Sequence, residues 1–308
     1  MVNTGRNTDP ANNLQTTQRD ATAGVSMHMS ETAPVSVIVP CFRAAATVAD
    51  SVASVAAQTL LPAEVVLVDD GSDDNTLEEL RRIERSYPQG WIKVVVLPRN
   101  GGLPVARNRG WDHATQPWVA FLDADDTWHP PKLQMQMEAL AADPKIMLIS
   151  HDMNVQSRSD PAPKLKHPVK VHIFKHPVLT VLISRRPFPA ASMMVRRDVP
   201  FRFDEKRRRC EDFMFWSEIL LRGHRCARIN QVLASWHKAP FGAGGLSGDL
   251  VAMQQGVVDV LRTLHQQGLL RWWQWRLADA IGFVRYIRRH VITFMRRRQN
   301  LQLAERSA

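Results

Sequence analysis

Cysteine is scarce: Cys41, Cys210 and Cys226 are the only three in 308 residues, widely spaced and never as CxxC. That supports neither a disulfide framework nor a zinc site, and the expected compartment is a reducing cytosol. No uninterrupted apolar run reaches 18 residues, so no membrane-spanning helix is expected. The N-terminus has no basic stretch leading into an apolar one, which argues against a secretory signal. No GxGxxG follows the first candidate strand, so a Rossmann dinucleotide site is not supported. No internal repeat is visible. Lys and Glu are missing from Arg262 to Arg298, where nine arginines face one aspartate. This segment holds +8 of the formal +10 charge and leaves the remaining chain near +2. Such confinement disfavours a general nucleic-acid-binding body, and no nucleic-acid partner is expected.

What is present reads as an α/β protein. The 44% hydrophobic share is ordinary for a domain with a sizeable core. Residues 1–33 are rich in Asn, Thr, Ala and Ser and are expected to form a disordered leader. The β-branched run Val35–Val39, stopped by Pro40, predicts a buried strand. Further strands are predicted over 64–68, 92–97, 118–122 and 146–149, with helices between them marked by Val48, Val52 and Val55, by Leu77, Leu80 and Ile83, and over 103–115. This alternation implies βαβ units and a mainly parallel sheet, whose ligands sit beyond the carboxyl ends of the strands. Pro161, Pro163, Pro168, Pro177, Pro187 and Pro189 break 155–200 into pieces expected to be irregular, and a helix is predicted over 211–222. The organisation expected is a leader (1–33), a domain over 34–240 in halves split near 130, a flexible Gly-rich loop (241–250) and a basic helical tail (251–308).

Three polar clusters fall at strand ends. In Asp123-Ala124-Asp125, alternation along an extended segment puts both carboxylates on one side, where they can face a hard divalent cation, Mg²⁺ or Mn²⁺. The same residues also suit a solvated acidic turn with a helix cap. Asp69-Asp70-Gly71-Ser72 offers a carboxylate that can accept from the imide N–H of a uracil, and equally a plain strand-to-helix turn. Asn100-Gly101-Gly102 permits close backbone approach to a ligand, with Arg107 placed to reach a base or diphosphate, or simply a surface.

Taken in order, Val37-Ile38-Val39-Pro40, Val68-Asp69-Asp70-Gly71-Ser72, Asn100-Gly101-Gly102 with Ala106-Arg107-Asn108, and Phe121-Leu122-Asp123-Ala124-Asp125-Asp126 resemble family 2 glycosyltransferases, inverting enzymes of the GT-A fold. The resemblance covers about a third of the chain. It implies a donor-binding half over 34–130, with the segment at Pro40 and the Asp69/Asp70 pair holding the nucleoside of a nucleotide-sugar donor, uridine favoured. It makes Asp123 and Asp125 the ribose- and metal-contacting carboxylates. Cys210-Glu211-Asp212-Phe213 fits the family's Glu-Asp pair and implies that Asp212 is the general base with Glu211 beside it, in an acceptor half over 131–240; the same pair also suits the first turn of any helix. Ser235-Trp236-His237 resembles the position of a metal-proximal histidine, although its neighbours depart from the usual ones; His237 is either a third metal ligand or a surface histidine. The implied activity is transfer of a sugar to an acceptor hydroxyl in bacterial surface polysaccharide or glycolipid synthesis.

The tail repeats apolar residues at three- and four-residue steps from Leu270 through Val284 and Ile287 to Val291, interleaved with Arg and opened by Trp272, Trp273 and Trp275. Such a helix over 269–298 can lie on an anionic membrane surface, which would suit a lipid-linked acceptor, or pack on the catalytic domain. Two other functions remain open: a non-catalytic nucleotide-binding adaptor, and a nucleotidyltransferase, for which Phe42–Ala49 supplies only Arg43 and no glycine.

Overall fold

The computed structural model describes residues 32–161, 163–183, 187–237 and 249–305, with side chains as far as 289 in the last helix. The leader up to 31 and most of the Gly-rich loop lie outside the described residues; Ala33 is already in a strand.

Strands β1 (Ala33–Cys41), β2 (Pro62–Asp69), β3 (Ile92–Val96) and β4 (Trp118–Phe121) alternate with helices α1 (Val48–Ala56), α2 (Thr76–Ser86) and α3 (Leu103–His113). The strands pair in parallel in the order β3-β2-β1-β4. Their sequences are continuous apolar runs because both faces are covered. Val35, Val37 and Val39 pack with Val48, Val52 and Val55 of α1 and Leu80 of α2 on one face. Ile38, Val66, Val68 and Phe121 pack with Ala106 and Trp111 of α3 on the other. Each such buried side chain contributes roughly 1.5–3 kcal/mol.

The second half comprises β5 (Thr127–Trp128), α4 (Lys132–Ala142), β6 (Ile146–Val155), β7 (Val171–Ile173), α5 (Pro177–Ile183), β8 (Met194–Arg196), α6 (Glu211–Leu221), β9 (Arg225–Trp236), α7 (Leu250–Gln266) and α8 (Trp272–Glu305). The stretch expected to be irregular thus supplies β8, which pairs antiparallel with both β4 and β6 and joins the parallel half to β6 and β9. Its three residues are too few for a period to show. β9, twelve residues long, carries β5 and β7 antiparallel on its other side.

α7 and α8 form a hairpin whose inner face joins the core through Val260, Leu261, Leu264, Leu270 and Ala278, with Trp275 packed against it. Trp275 stacks on His265 with ring centroids 4.9 Å apart. Of the apolar stripe read from sequence, Leu270 joins the packed core, but several described members do not. Leu277, Val284 and Ile287 are exposed, as are Trp272, Trp273 and Phe283. The tail therefore packs on the domain and keeps Leu277, Val284 and Ile287 of its apolar stripe outside.

Lys132 opens α4 in full burial, its Nζ 3.4 Å from the centre of the Trp128 ring and without a hydrogen-bond acceptor. A cation–π contact returns about 2 kcal/mol, whereas burying an ammonium costs several. Burial accordingly drives its pKa well below the usual lysine value. The unfolded chain holds this proton more tightly than the folded chain, so the group makes stability rise with pH towards the unfolded value of 10.5. Denaturant unfolding between about pH 8 and pH 10 should show Lys132→Met lacking a rise of up to about 1.4 kcal/mol per pH unit that the wild type displays. Parallel pH profiles would contradict the lowered pKa.

Candidate active site

Parallel pairing delivers three strand ends to one rim. Pro40 lies opposite Val68 and Cys41 opposite Asp69. The Asp70 N–H donates to the Cys41 carbonyl at 2.8 Å, and the Arg43 N–H donates to Ser72 Oγ at 3.2 Å. The Leu122 N–H donates to the Ile38 carbonyl at 3.0 Å, which seats the Asp123–Asp125 segment beside β1. Pro40, Asp69, Asp70 and the start of the Asp123–Asp125 segment therefore share one edge of the sheet.

Asp70 is buried, as is Asp69. Its two carboxylate oxygens accept the Gly101 and Gly102 N–H groups, each at 2.8 Å. Burial raises its pKa; the two amides act in the opposite sense, and the Asp69 charge adds to the rise. Gly71 permits the clamp: its φ is +64°, and a Cβ there would stand 2.5 Å from the Arg99 carbonyl carbon. Asp69 Oδ1 accepts the Ser72 N–H at 3.2 Å. Of the pair expected to hold the nucleoside, Asp70 is committed to shaping the glycine loop.

Arg107 also departs from its expected place. It was read as reaching a base or a diphosphate, yet its side chain is only 1% exposed. One terminal nitrogen donates to Glu211 Oε1 and the other to Asp123 Oδ1, both at 2.7 Å, and its guanidinium carbon lies 5.3 Å from the centre of the Phe203 ring. Burial works against its charge, but Asp123 and Glu211 outweigh that and raise the pKa further above the usual value. Glu211 is held in turn: burial raises its pKa, Arg107 lowers it and Asp212 raises it. One guanidinium thus ties the end of β4 to the start of α6. The next residue, Asp212, is half-buried rather than buried, and its Oδ1 accepts the Phe213 N–H at 2.7 Å. Cys210, immediately before, is left-handed at φ +57°, which turns the chain sharply into α6. Glu211 therefore faces in, while Asp212 is the less buried carboxylate of the pair.

From 123 to 128 burial alternates: Asp123, Asp125 and Thr127 are half-buried, and Ala124, Asp126 and Trp128 are buried. That is the one-sided presentation expected of a short extended arm. β5 at its end pairs with β9, Thr127 opposite Ser235, which carries His237 alongside. His237 Nδ1 lies 2.9 Å from the Gln156 carbonyl, to which only Nδ1–H can donate, and Nε2 accepts from Thr127 Oγ at 2.9 Å. A backbone acceptor on one nitrogen fixes the tautomer and leaves the other basic, the arrangement that suits an imidazole metal ligand. Among the described residues, however, no three His, Cys, Asp or Glu stand close enough to hold a metal ion together. Asp123, Asp125 and His237 do not form a ready-made cage, and Asp123 already serves Arg107. The residues fit a cation that takes one or two protein ligands and fills the remainder from donor phosphate, as Mg²⁺ commonly does. Thr127 and Gln156 were missed from sequence. Thr127 was accessible to the same alternation that marked Asp123 and Asp125, whereas Gln156 gave no signal.

Parallel β–α units with acidic turns at one rim, an antiparallel strand across them and a Glu-Asp helix underneath define an α/β glycosyltransferase fold of the GT-A type. Among solved structures, the mannosyltransferase PcManGT from Pyrobaculum calidifontis, determined with GDP-Man and Mn²⁺, shares this fold with a TM-score of 0.56 at 19% identity, over 82% of this chain and 74% of that one. Residues 36–205 match the family described as "Glycosyl transferase family 2", and the chain belongs to that family. The amylovoran biosynthesis glycosyltransferase AmsB of Erwinia amylovora is 30% identical over 211 residues, 66% of this chain and 69% of AmsB. The UDP-Glc:alpha-D-GlcNAc-diphosphoundecaprenol beta-1,3-glucosyltransferase WfgD of Escherichia coli is 35% identical over 106 residues, 34% of this chain and 40% of WfgD. Relatives matched at 35% identity or more are spanned over less than half of their length.

A lysine has one nitrogen where Arg107 uses two on separate carboxylates. Arg107→Lys is therefore expected to lose about 2–4 kcal/mol in urea unfolding, by leaving one carboxylate without its counter-charge. An unchanged midpoint would mean that the bridge does not hold the halves together.

Proposed function

We propose that this chain is an inverting glycosyltransferase moving a sugar from a nucleotide-diphosphate donor, a UDP-sugar by preference, onto an acceptor hydroxyl in bacterial surface polysaccharide or glycolipid synthesis. The observation that carries it is the single Arg107 bridge, which sets the Asp123–Asp125 arm next to the Glu211–Asp212 turn. The names of WfgD and AmsB support the polysaccharide setting, and WfgD's name contains a UDP-sugar.

In this reading Asp212 accepts the proton of the acceptor hydroxyl. The oxygen attacks the anomeric carbon from the face opposite the leaving group, and the bonding pair departs onto the diphosphate. No covalent sugar–enzyme intermediate is needed. Asp69, with Pro40 behind it, meets the nucleoside, and the glycine loop clamped by Asp70 lies under the donor. Asp125 and His237 would hold a divalent cation, which when bound offsets charge on the departing diphosphate. Arg107 and Glu211 position rather than react.

Asp212→Asn should reduce transfer at least about a hundredfold, since a positioned base contributes 10²–10⁴, while UDP-sugar affinity stays within about twofold. Asp125→Ala should lose the Mn²⁺-dependent part of UDP-sugar binding in calorimetric titration. Wild-type donor affinity in Asp125→Ala, with and without Mn²⁺, would remove the metal from this account.

A second reading concerns location. No helix among the described residues is long and apolar enough to cross a membrane. The exposed stripe of α8 lies beside exposed Leu179 and Ile183 of α5, and Arg285 donates to the Ile183 carbonyl at 2.8 Å. Exposed Trp and Phe interleaved with arginines suit the interface of an anionic bilayer, where a lipid-linked acceptor would be presented. Flotation with vesicles of phosphatidylglycerol and phosphatidylcholine should recover the protein. Vesicles of phosphatidylcholine alone, or Trp272→Ala with Phe283→Ala, should recover much less. Equal recovery in all cases would refute a membrane role for this face.

A further inference from the structure

Between the 204–209 turn and α7 lies a hollow of about 460 Å³ that the sugar-transfer chemistry does not use. Five cations line it, the consecutive Lys206, Arg207, Arg208 and Arg209 with Arg262 of α7, against two carboxylates, Asp204 and Asp259. The ion pairs around it are loose. Arg262 to Asp259 spans 3.4 Å, Arg207 to Asp204 spans 3.6 Å, and Arg209 to Asp249 spans 3.7 Å, where the Arg107 bridges measure 2.7 Å. The Nε–H groups of Arg207 and Arg209 are buried and make no hydrogen bond, Asp204 Oδ2 standing 3.6 Å from Arg207 Nε, while the other end of Arg207 donates to Thr263 Oγ1 at 3.2 Å. A guanidinium left short of acceptors in a half-enclosed space is a costly arrangement unless an anion completes it.

The hollow is also built into the reaction centre. Arg209 and Cys210 lead directly into Glu211 and Asp212. α7 is pressed against that turn, since a Cβ on Gly256 would lie 3.1 Å from Cys210 Sγ and 3.3 Å from Arg209 Cβ. On the other side the Arg208 charge bears on Asp70 at the donor rim and favours its ionised form.

We propose that this hollow is an oxyanion site that binds the phosphate or diphosphate group of a phosphate-bearing acceptor and so presents the acceptor hydroxyl to Asp212. The anion site stands on the geometry alone; its assignment to an acceptor rests on the transferase reading. Planar guanidinium forks match phosphate oxygens in pairs, and the three consecutive arginines can address a diphosphate from several directions. The shared chemistry is a phosphate ester, borne either by a membrane lipid or by a soluble glycan.

The test has two stages on the full chain. Inorganic pyrophosphate is titrated calorimetrically without divalent metal. Wild type and Asp125→Ala should bind alike, whereas Arg207→Gln with Arg262→Gln should bind about tenfold or more weakly, the loss of a charge-assisted hydrogen bond. Should that pair fail to fold by thermal melting, Lys206→Gln with Arg208→Gln, both exposed side chains, takes its place. Unchanged pyrophosphate affinity in a folded arginine variant overturns the site. Transfer is then compared on an alkyl-diphosphate glycoside and on the same glycoside without phosphate. KM should rise about tenfold or more for the first only, with kcat little changed. An equal effect on both glycosides, or none on either, overturns the acceptor assignment. Arginine-dependent pyrophosphate binding without transfer to any acceptor upholds the anion site and counts against the transferase reading. Vesicles carrying an isoprenyl diphosphate, competed by soluble pyrophosphate, against vesicles of phosphatidylglycerol separate a lipid-borne diphosphate from a general anionic surface.

Discussion

The structure depends on one buried cation. Arg107 is surrounded by apolar packing from Phe203 and held between carboxylates that come from opposite ends of the domain. A lone guanidinium there would cost several kcal/mol, and so would a lone Glu211. The three groups are tolerable only together, so the folded state requires that the end of β4 and the start of α6 meet. That requirement holds the Asp123–Asp125 arm beside the Glu211–Asp212 turn. It also divides two neighbouring carboxylates into different duties, Glu211 turned into the domain and Asp212 left at the rim.

The same economy governs the donor side. Asp70 spends both oxygens on the amides of Gly101 and Gly102. The glycine loop is shaped from beneath by a side chain that a reading of motifs assigns to the ligand. Likewise His237 is held by a backbone carbonyl on one nitrogen and a hydroxyl on the other. Family motifs of this kind mix residues that touch substrate with residues that make the backbone able to do so, and the motif alone does not separate them.

How much was legible in the sequence follows from this. Val35–Val39 and Val65–Val68 announce buried parallel strands because nothing but full coverage tolerates such runs, and the alternation with α1, α2 and α3 gave the half that bears the donor rim. The one-sided display of Asp123 and Asp125 was readable from a period of two. β8 was not, because three residues carry no period and its place depends on β4 and β6, both distant in the chain. The inward turn of Arg107 was not, because its partner Glu211 lies 104 residues away. In α8 the apolar period was real but misled as to which side packs: the helix docks through Trp275 and Ala278, small and ring-shaped contacts that fit α7, and leaves the stronger stripe outside.

The docking of α8 has a consequence for how the polypeptide can be shortened. Its sequence reads as an appendage, arginine-rich and terminal, of the sort commonly trimmed to improve handling. Yet Ala278 and Trp275 cover Leu264 and Leu270, and α7 beneath them leans on the turn that carries Arg209 and Cys210. Cutting ahead of Trp272 would uncover an apolar seam and loosen the helix that leans on the turn before Glu211 and Asp212. The trimmed polypeptide would lose cohesion at that turn, some distance from the cut.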